Sequence, residues 1–443
     1  MASTELSAAD RIINVLDELG IQRAHIVGCL SSDWGDLIGR FQERLSSLTI
    51  VAPHLNQGVP ASAETNSIPS LIIAGDQGAP AERARSLSKK VRSARLHSLA
   101  GYESPIWADT ASDRTMDVEE ALRDFWNELE PTDDSSPFVP AKSAGEVAGV
   151  HYRIEGSGPP VVLLPLSLSS SQWTSLIKRL KDDYCTIVLG GAYLGAISLL
   201  EGRAQSGYGD LLVELVNQAT SSKSERILEV GCGSGALVRK IVQQTNQQNP
   251  IVGTDLSPYL LSEARLIAAG EELDQVISFE QANAEDLPYA DESFDISISS
   301  TVMEEGDANK MIAELARVTN PGGRIIAVVR ATDVDWWVNI PLSPDRQKEV
   351  NALGPKVGAG VGPGGCADAS LYQRIIAARL QPNLMGPRFA VYRDGDRMSD
   401  VLDRLGAALP ADATSDFQKA RDEAQEAGTI CMGEPFHCAV ITR

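Results

Sequence analysis

The stretch Arg226-Ile-Leu-Glu-Val-Gly-Cys-Gly-Ser-Gly-Ala-Leu237 constrains the fold of this 443-residue chain more than any other. Ile227 to Val230 is a short apolar run behind polar Ser224 and Glu225, and predicts a buried strand. Gly231, Gly233 and Gly235 come next as a G-x-G-x-G turn, and the segment from Ala236 predicts the helix that leaves it. Glycines at that spacing suit a turn that must adopt positive φ and let a ligand come close to bare backbone. The start of the next helix adds unpaired N–H groups and the positive end of a dipole. Alone, such a turn fits many nucleotide-binding sheets, so its neighbours decide its use.

From Ser224 onward, strand-like and helix-like segments alternate. Strands are predicted at 227–230, 251–254, 276–280, 294–299 and 324–329, with helices at 236–245, 258–268 and 307–318. This alternation predicts a parallel sheet covered by helices on both faces. Ligands of such sheets bind beyond the carboxyl ends of the strands. Asp255 closes the second strand, about 20 residues after the glycine turn, where an acid can accept hydrogen bonds from both hydroxyls of a ribose. A mere helix cap is the alternative, but Ser257-Pro258 already supplies an N-cap and a proline at the first helical position.

Four motifs stand in order here: Glu229-Val-Gly-Cys-Gly-Ser-Gly235, Gly253-Thr-Asp-Leu-Ser-Pro258, Asn283-Ala-Glu-Asp-Leu-Pro-Tyr289 with Asp291-Glu-Ser-Phe-Asp295, and Ala316-Arg-Val-Thr-Asn-Pro-Gly-Gly-Arg324. Together, over about 225–330, they resemble the class I S-adenosylmethionine-dependent methyltransferases of small molecules. The resemblance implies a Rossmann-like α/β sheet and S-adenosyl-L-methionine as cofactor. Gly231, Cys232, Gly233 and Gly235 would then cradle its methionine part, with Glu229 beneath to receive the ammonium. Asp255, Leu256, Asn283, Ala284, Glu285 and Ser300 would complete the cofactor site. Asn283 replaces the more usual aspartate at the adenine, and its amide oxygen can still accept from the adenine amine. A dinucleotide dehydrogenase would expect G-x-G-x-x-G/A; the Asn283 loop and the Asn-Pro-Gly-Gly turn fit methyl transfer better.

Methyl transfer asks little of acid–base groups. The sulfonium carbon is already electrophilic, and alignment carries much of the rate. A base matters only when the acceptor must lose a proton. Glu304 and Glu305 after the fourth strand are the catalytic candidates, the alternative being acids at a helix start. His437 on the last strand is a third candidate, with a structural role as its alternative. Met303, Trp336 and Trp337 are candidate substrate contacts, since aromatic walls can hold an apolar or cationic group; plain core packing is the alternative for the two tryptophans. The glycine-rich stretch 354–365 is either a lid or a long connection.

Residues 8–130 carry a different pattern: a strand at 24–27, the turn Gly28-Cys29-Leu30-Ser31-Ser32, strands at 48–51 and 71–74, and a helix at 118–129. The order resembles the C-terminal half of an α/β-hydrolase, whose nucleophile sits on the elbow after such a strand. Leu30 occupies the nucleophile position, Gly78 that of the acid, and Tyr102 or Glu103 that of the histidine. The triad acts only as a set, so the resemblance implies a non-catalytic domain. A shifted triad of Ser31 or Ser32 with His97 is the alternative. Residues 131–145, rich in Pro, Ser and Asp, predict a linker. Segment 146–223 opens with a hairpin similar to that of the same family, Val150 to Pro165, and has Pro165-Leu166 where the oxyanion-hole His-Gly would stand. It either packs with the first segment as one permuted, inactive sheet or extends the N-terminus of the domain at 224–443.

Net charge of −21 argues against a nucleic-acid partner, which needs a basic surface. No apolar run of about 18 residues predicts a membrane span, and the opening Met-Ala-Ser-Thr-Glu-Leu lacks a signal core, so a cytoplasmic location is expected. Six scattered cysteines without C-x-x-C, and five histidines, offer no metal site. A homodimer is compatible with all of this. The expected function is methyl transfer to a small-molecule acceptor at N, O, S or C. The alternative is a cofactor-binding scaffold or sensor whose hydrolase-like part docks a partner.

Overall fold

Two eight-stranded sheets organise the chain, one in each of two units, Met1–Ser198 and Leu199–Arg443. The computed structural model describes residues 6–29, 33–53, 67–91, 93–104, 109–129, 138, 141–220, 222, 224–245, 251–356, 361–393 and 395–443.

In the first unit the strands are β1 (Ala24–Gly28), β2 (Leu45–Val51), β3 (Ser70–Gln77), β4 (Ala94–Glu103), β5 (Ala144–Val147), β6 (Val150–Glu155), β7 (Pro160–Leu163) and β8 (Cys185–Gly190). They lie in the order β4-β3-β2-β1-β7-β8-β6-β5. The first six are parallel, and β6 and β5 are antiparallel. Strands from 24–103 and from 144–190 thus share one sheet, joined where β7 pairs with β1. The helices are α1 (Ala8–Glu18), α2 (Asp33–Arg40), α3 (Gly78–Lys90), α4 (Thr110–Asp113), α5 (Thr115–Asn127) and α6 (Thr174–Leu180). Central strands read as continuous apolar runs because both faces are covered. Ile26, Leu48, Ile72 and Ile187 pack on one side with Ile12 and Leu16 of α1. Val27, Ile73 and Val161 pack on the other with Leu122 and Phe125 of α5 and with Trp173.

Several expectations for this unit shift. Linker residues 131–137 and 139–140 lie outside the described residues, as do Leu30, Ser31 and Ser32. The expected linker end, Ala144 and Gly145, is already in β5, where Gly145 pairs with Tyr152. Gly78 opens α3 at φ 72°, and a Cβ there would lie 2.1 Å from a Glu103 carboxylate oxygen, so an acid at that position would be strained and would displace the Glu103 side chain. His97 sits within β4 opposite Ile73. Strand β4 lies three strands from β1 in the sheet, and Ser31 and Ser32 of the shifted triad lie outside the described residues.

The second unit begins within α7 (Gly195–Gln205) and continues through α8 (Gly207–Ala219), β9 (Ile227–Val230), α9 (Ala236–Thr245), β10 (Ile251–Asp255), α10 (Pro258–Gly270), β11 (Ile277–Gln281), β12 (Phe294–Ser300), α11 (Ala308–Val318) and β13 (Thr319–Arg330). Next come β14 (Trp337–Asn339), α12 (Pro344–Leu353), α13 (Ser370–Ala377), β15 (Gln381–Tyr392), α14 (Asp396–Ala408), α15 (Ala411–Glu426) and β16 (Cys431–Thr442). The order is β11-β10-β9-β12-β13-β16-β14, with β15 also paired to β16. Strands β9 to β13 are parallel and β16 is antiparallel to its neighbours. Chain order reverses at β9, between β10 and β12, which is where such sheets take ligands.

The division falls after Ser198, not at Ser224, because α8 sends Leu211, Leu212, Leu215 and Val216 into the core formed by Ile227, Val238 and Ile326. Leu228, Phe294, Leu315, Ile325 and Ala439 form the layer on the opposite face. Asp295, the last residue of the D-x-S-F-D motif, serves the far end of the sheet. It accepts from the Arg226 N–H at 2.8 Å and from Asn320 Nδ2 at 2.7 Å, tying the starts of β9 and β13. Among the described residues, no helix is long and apolar enough to cross a membrane.

Candidate functional site

All three glycines of the turn are left-handed: Gly231 at φ 75°, Gly233 at 56° and Gly235 at 73°. A Cβ at Gly231 would lie 2.0 Å from Val302 Cγ2, and one at Gly235 2.5 Å from the Phe279 ring. Both conformation and space therefore demand glycine. The N–H groups of Gly231 and Cys232 donate to Thr254 O at 2.7 and 2.8 Å, stitching the turn to β10. Asp255 completes the stitch, accepting from the Gly233 N–H at 2.8 Å and from the Ser257 N–H at 2.9 Å. Burial raises its carboxyl, and the Ser257, Gly233 and Leu256 N–H groups partly offset this. Asp255 thus braces the turn. Cys232 is buried, its Sγ against Gly253.

Beneath the turn, Glu229 is 4% exposed and its Oε2 has no hydrogen-bond partner. Burial, and then the charge of Asp255, push its carboxyl up to about 8. It lines a 70 Å³ cavity together with Gly231, Arg203, Tyr208, Ser300 and Thr301. The Tyr208 and Ser300 hydroxyls are hydrogen-bonded to each other. A clamp fastens α7 to the turn: Ser234 Oγ donates to Glu201 Oε1 at 2.6 Å, Arg239 Nη1 donates to Ser234 O at 2.8 Å, and Arg239 pairs with Glu201. Of these residues, Arg203, Tyr208, Thr301, Glu201 and Arg239 were absent from the sequence-based site. Arg203 and Glu201 lie on a helix well before the turn, and no local pattern marks them.

On the side expected for the adenine, Leu256 just after β10 is 67% exposed. Asn283 is exposed, and its Oδ1 already accepts from the Glu285 N–H at 3.0 Å, which leaves one lone pair. Ala284 packs on the core. Glu285 accepts from the Asp307 N–H at 2.8 Å and from Lys310 Nζ at 3.2 Å, so it fastens the start of α11.

The loop after β12 separates the catalytic candidates. Glu304 is buried; Oε1 accepts from the Arg330 N–H at 2.7 Å and Oε2 pairs with the Arg330 side chain. Glu305 is exposed as a residue, yet partial burial of its carboxyl, then Glu304 and Asp255, raise it above the usual range. Met303 is fully buried in the core. Trp336 is buried against Gly354, whereas Trp337, next in β14, points outward and is 46% exposed. The two tryptophans therefore face opposite ways and do not form one wall. His437 is 3% exposed and fills both ring nitrogens, with Asp333 Oδ1 at 2.6 Å and the Tyr372 hydroxyl at 2.8 Å. Positions 357–360 of the glycine-rich stretch lie outside the described residues. Its end is fastened to the loop after β12: the Gly362 N–H donates to Glu304 O and the Cys366 N–H to Met303 O, each at 2.8 Å.

Residues 221–345 match the family model described as "Methyltransferase domain". The ubiquinone/menaquinone biosynthesis C-methyltransferase UbiE of Bdellovibrio bacteriovorus is 35% identical over 130 residues, covering 29% of this chain and 52% of that protein. The chloroplastic tocopherol O-methyltransferase of Arabidopsis thaliana is 35% identical over 118 residues, covering 26% of this chain and 32% of that protein. Among solved structures, geranyl diphosphate C-methyltransferase from Streptomyces coelicolor A3(2) aligns over 53% of this chain and 79% of its own, at 14% identity and a TM-score of 0.33. The chain spans about half the length of the first relative and a third of the second.

Proposed function

We propose, on the premise that residues 221–345 form a methyltransferase domain, that the second unit binds S-adenosylmethionine and directs its methyl group to a small-molecule acceptor. The observation that carries this is the unpartnered, buried Glu229 oxygen beneath three left-handed glycines. A buried carboxyl oxygen without a partner is costly, and an ammonium donor would remove that cost. Gly231, Cys232, Gly233 and Gly235 would hold the methionine part, Asp255 the ribose, and Leu256, Asn283 and Ala284 the adenine, with Glu285 and Ser300 shaping the walls. When bound, the cofactor supplies an electrophilic methyl carbon. The protein's part is to align an acceptor with it and exclude water.

Glu305 is the general base of this reading, for acceptors that must lose a proton. Its raised carboxyl takes up a proton closer to neutral pH than an ordinary glutamate does. Glu304 then acts through Arg330, and His437 holds Asp333 and Tyr372. Trp337 remains available to an apolar acceptor, whereas Met303 and Trp336 support it from the core.

The first unit is read as a permuted, inactive relative of the α/β-hydrolases. Its two segments interleave at the β1–β7 pair, and the acid position is a left-handed glycine beside Glu103. A cytoplasmic protein without nucleic-acid or membrane partners completes the reading, and a homodimer is compatible with it.

Calorimetric titration with S-adenosylmethionine tests the premise, and absence of binding to the intact chain would sink it. Asp255→Ala should weaken binding by about 1–3 kcal/mol through lost hydrogen bonds. Release of S-adenosylhomocysteine in the presence of pooled metabolites identifies the acceptor. The two relatives are named as a C- and an O-methyltransferase, so quinol-like and phenolic compounds come first in that pool.

A further inference from the structure

One edge of the second sheet differs in charge and polarity from the rest of the chain. From Ala369 to Arg393, spanning α13 and β15, there are four arginines and no aspartate, glutamate or lysine, although the chain carries a net charge of −21. Two of the arginines are held: Arg374 donates to Asn309 Oδ1 at 2.8 Å, and Arg388 pairs with Glu214 at 3.1 Å. Arg379 and Arg393 are exposed and, among the described residues, pair with no carboxylate. Apolar side chains lie between them. Met385, Phe389 and Val391 stand on the odd positions of β15 and so share one face, while Ala390 and Tyr392 are buried behind it. Ile376 is on α13, which packs against the same strand. Each of the four is 40% exposed or more. Gly433 divides this strip from Trp337, the side chain left to an acceptor: a Cβ there would lie 3.0 Å from Phe389 Cδ1 and 3.4 Å from Trp337 Cε3.

Exposed apolar side chains set among arginines, without lysine or acid, have the composition of a protein–protein contact rather than of ordinary surface. Strand β15 pairs with β16 alone, but Pro382 and Pro387 interrupt it as a strand-adding edge, so a partner seats on its face. Such a strip covers on the order of a few hundred Å², short of the ~800 Å² per partner that a stable interface needs. A complementary surface lies in the same unit. Helix α15 buries Ala413, Phe417, Ala420 and Ala424 and turns Asp412, Asp416, Asp422, Glu423 and Glu426 outward. Asp412 meets Arg346 and Glu423 meets Lys419, whereas Asp416, Asp422 and Glu426 meet no cation among the described residues.

We propose that the strip formed by α13 and β15 is the contact for a second copy of this chain, and that its arginines receive α15 of that copy. A two-fold axis makes the contact twice, strip to helix and helix to strip, which doubles the area that the strip alone would bury. Phe389 and Met385 are the apolar anchors, and Arg379 and Arg393 set the register against Asp416, Asp422 and Glu426. Elsewhere two copies of charge −21 repel, so the strip also decides their orientation.

Sedimentation velocity on the full chain in the micromolar range tests this, with circular dichroism to show that each variant is folded. The wild type should be a dimer that weakens as salt is raised. Reversing the strip, with Arg379→Glu and Arg393→Glu together, should weaken it by about tenfold or more, and so should reversing the helix with Asp416→Arg, Asp422→Arg and Glu426→Arg. Mixed together, the two reversed chains should form a heterodimer of wild-type strength, because strip and helix are again opposite in charge at both contacts. Phe389→Ser should loosen the dimer at low and high salt alike. A wild type that stays monomeric refutes the proposal and leaves the strip to an acidic protein other than this chain. A dimer indifferent to both reversals, or reversed chains that stay apart when mixed, overturns the pairing of strip and α15.

Discussion

Glu229 couples ligand binding to protons. Its carboxyl is raised to about 8 in the fold, first by burial and then by Asp255, against an ordinary value near 4.5. The folded chain therefore binds the extra proton between those values. Its stabilising contribution is full below the unfolded value and is lost as pH rises through about 8. An ammonium at Oε2 favours the carboxylate and expels that proton. Affinity for S-adenosylmethionine should accordingly rise with pH toward about 8 and fall above it, as the free cofactor's α-amino group, which titrates at about 8, loses its own charge. Titrations at several pH values, in buffers of different ionisation enthalpy, check this; a flat profile for the wild type would contradict it, and Glu229→Gln should remove the rise.

At the scale of elements, the clamp between α7 and the glycine turn makes a helix outside the sheet part of the cradle. Arg239 is 3% exposed and Glu201 10%, and Arg239 also pairs with Glu271 at 3.2 Å, so removing Glu201 takes away one of its two carboxylates. Glu201→Ala should cost about 1–3 kcal/mol in a denaturant melt, and loosen cofactor binding with it. A second fastening acts on α13. Asp333 accepts from the Ala369 N–H at 3.1 Å just before that helix and from His437 on β16. Burial works to raise the Asp333 carboxyl, but the His437 and Ala369 hydrogen bonds prevail and lower it. Its contribution is present above the unfolded value near 3.9 and is lost as pH falls through the lower folded value. Acid unfolding of Asp333→Asn should therefore begin at higher pH than in the wild type, as seen by circular dichroism. Elements β9, α9, β10 and α10 were legible in the sequence because their apolar periods and breakers agree, and the left-handed glycines followed from the same turn. Arg203 and Glu201 were not, because a cation and an acid on a surface-like helix acquire meaning only when the fold brings them to a turn far along the chain. Trp336 and Trp337 could not be told apart for a related reason: neighbours look alike in sequence, and only the fold buries the first and exposes the second.

The whole molecule divides at Ser198, inside a segment that the glycine and polar content of α7 and α8 left without a clear period. A chain starting near Gly195 keeps the glycine turn, its clamp and Arg203, and should bind S-adenosylmethionine within a few-fold of the intact protein. A chain starting at Ala144 removes β1 to β4 and strips β7 of one neighbour. It should aggregate, because β7 is an apolar strand that would gain an open edge. Gel filtration of the two truncations decides the point, and a monomeric, soluble chain from Ala144 would argue against the single interleaved sheet. That interleaving also sets a timetable for synthesis. Val27 pairs with Leu163, so β1 waits with its inner edge bare while everything between them leaves the ribosome. At roughly 5–20 residues per second the wait is on the order of ten seconds. Until then the nascent first unit has strands but no closed sheet.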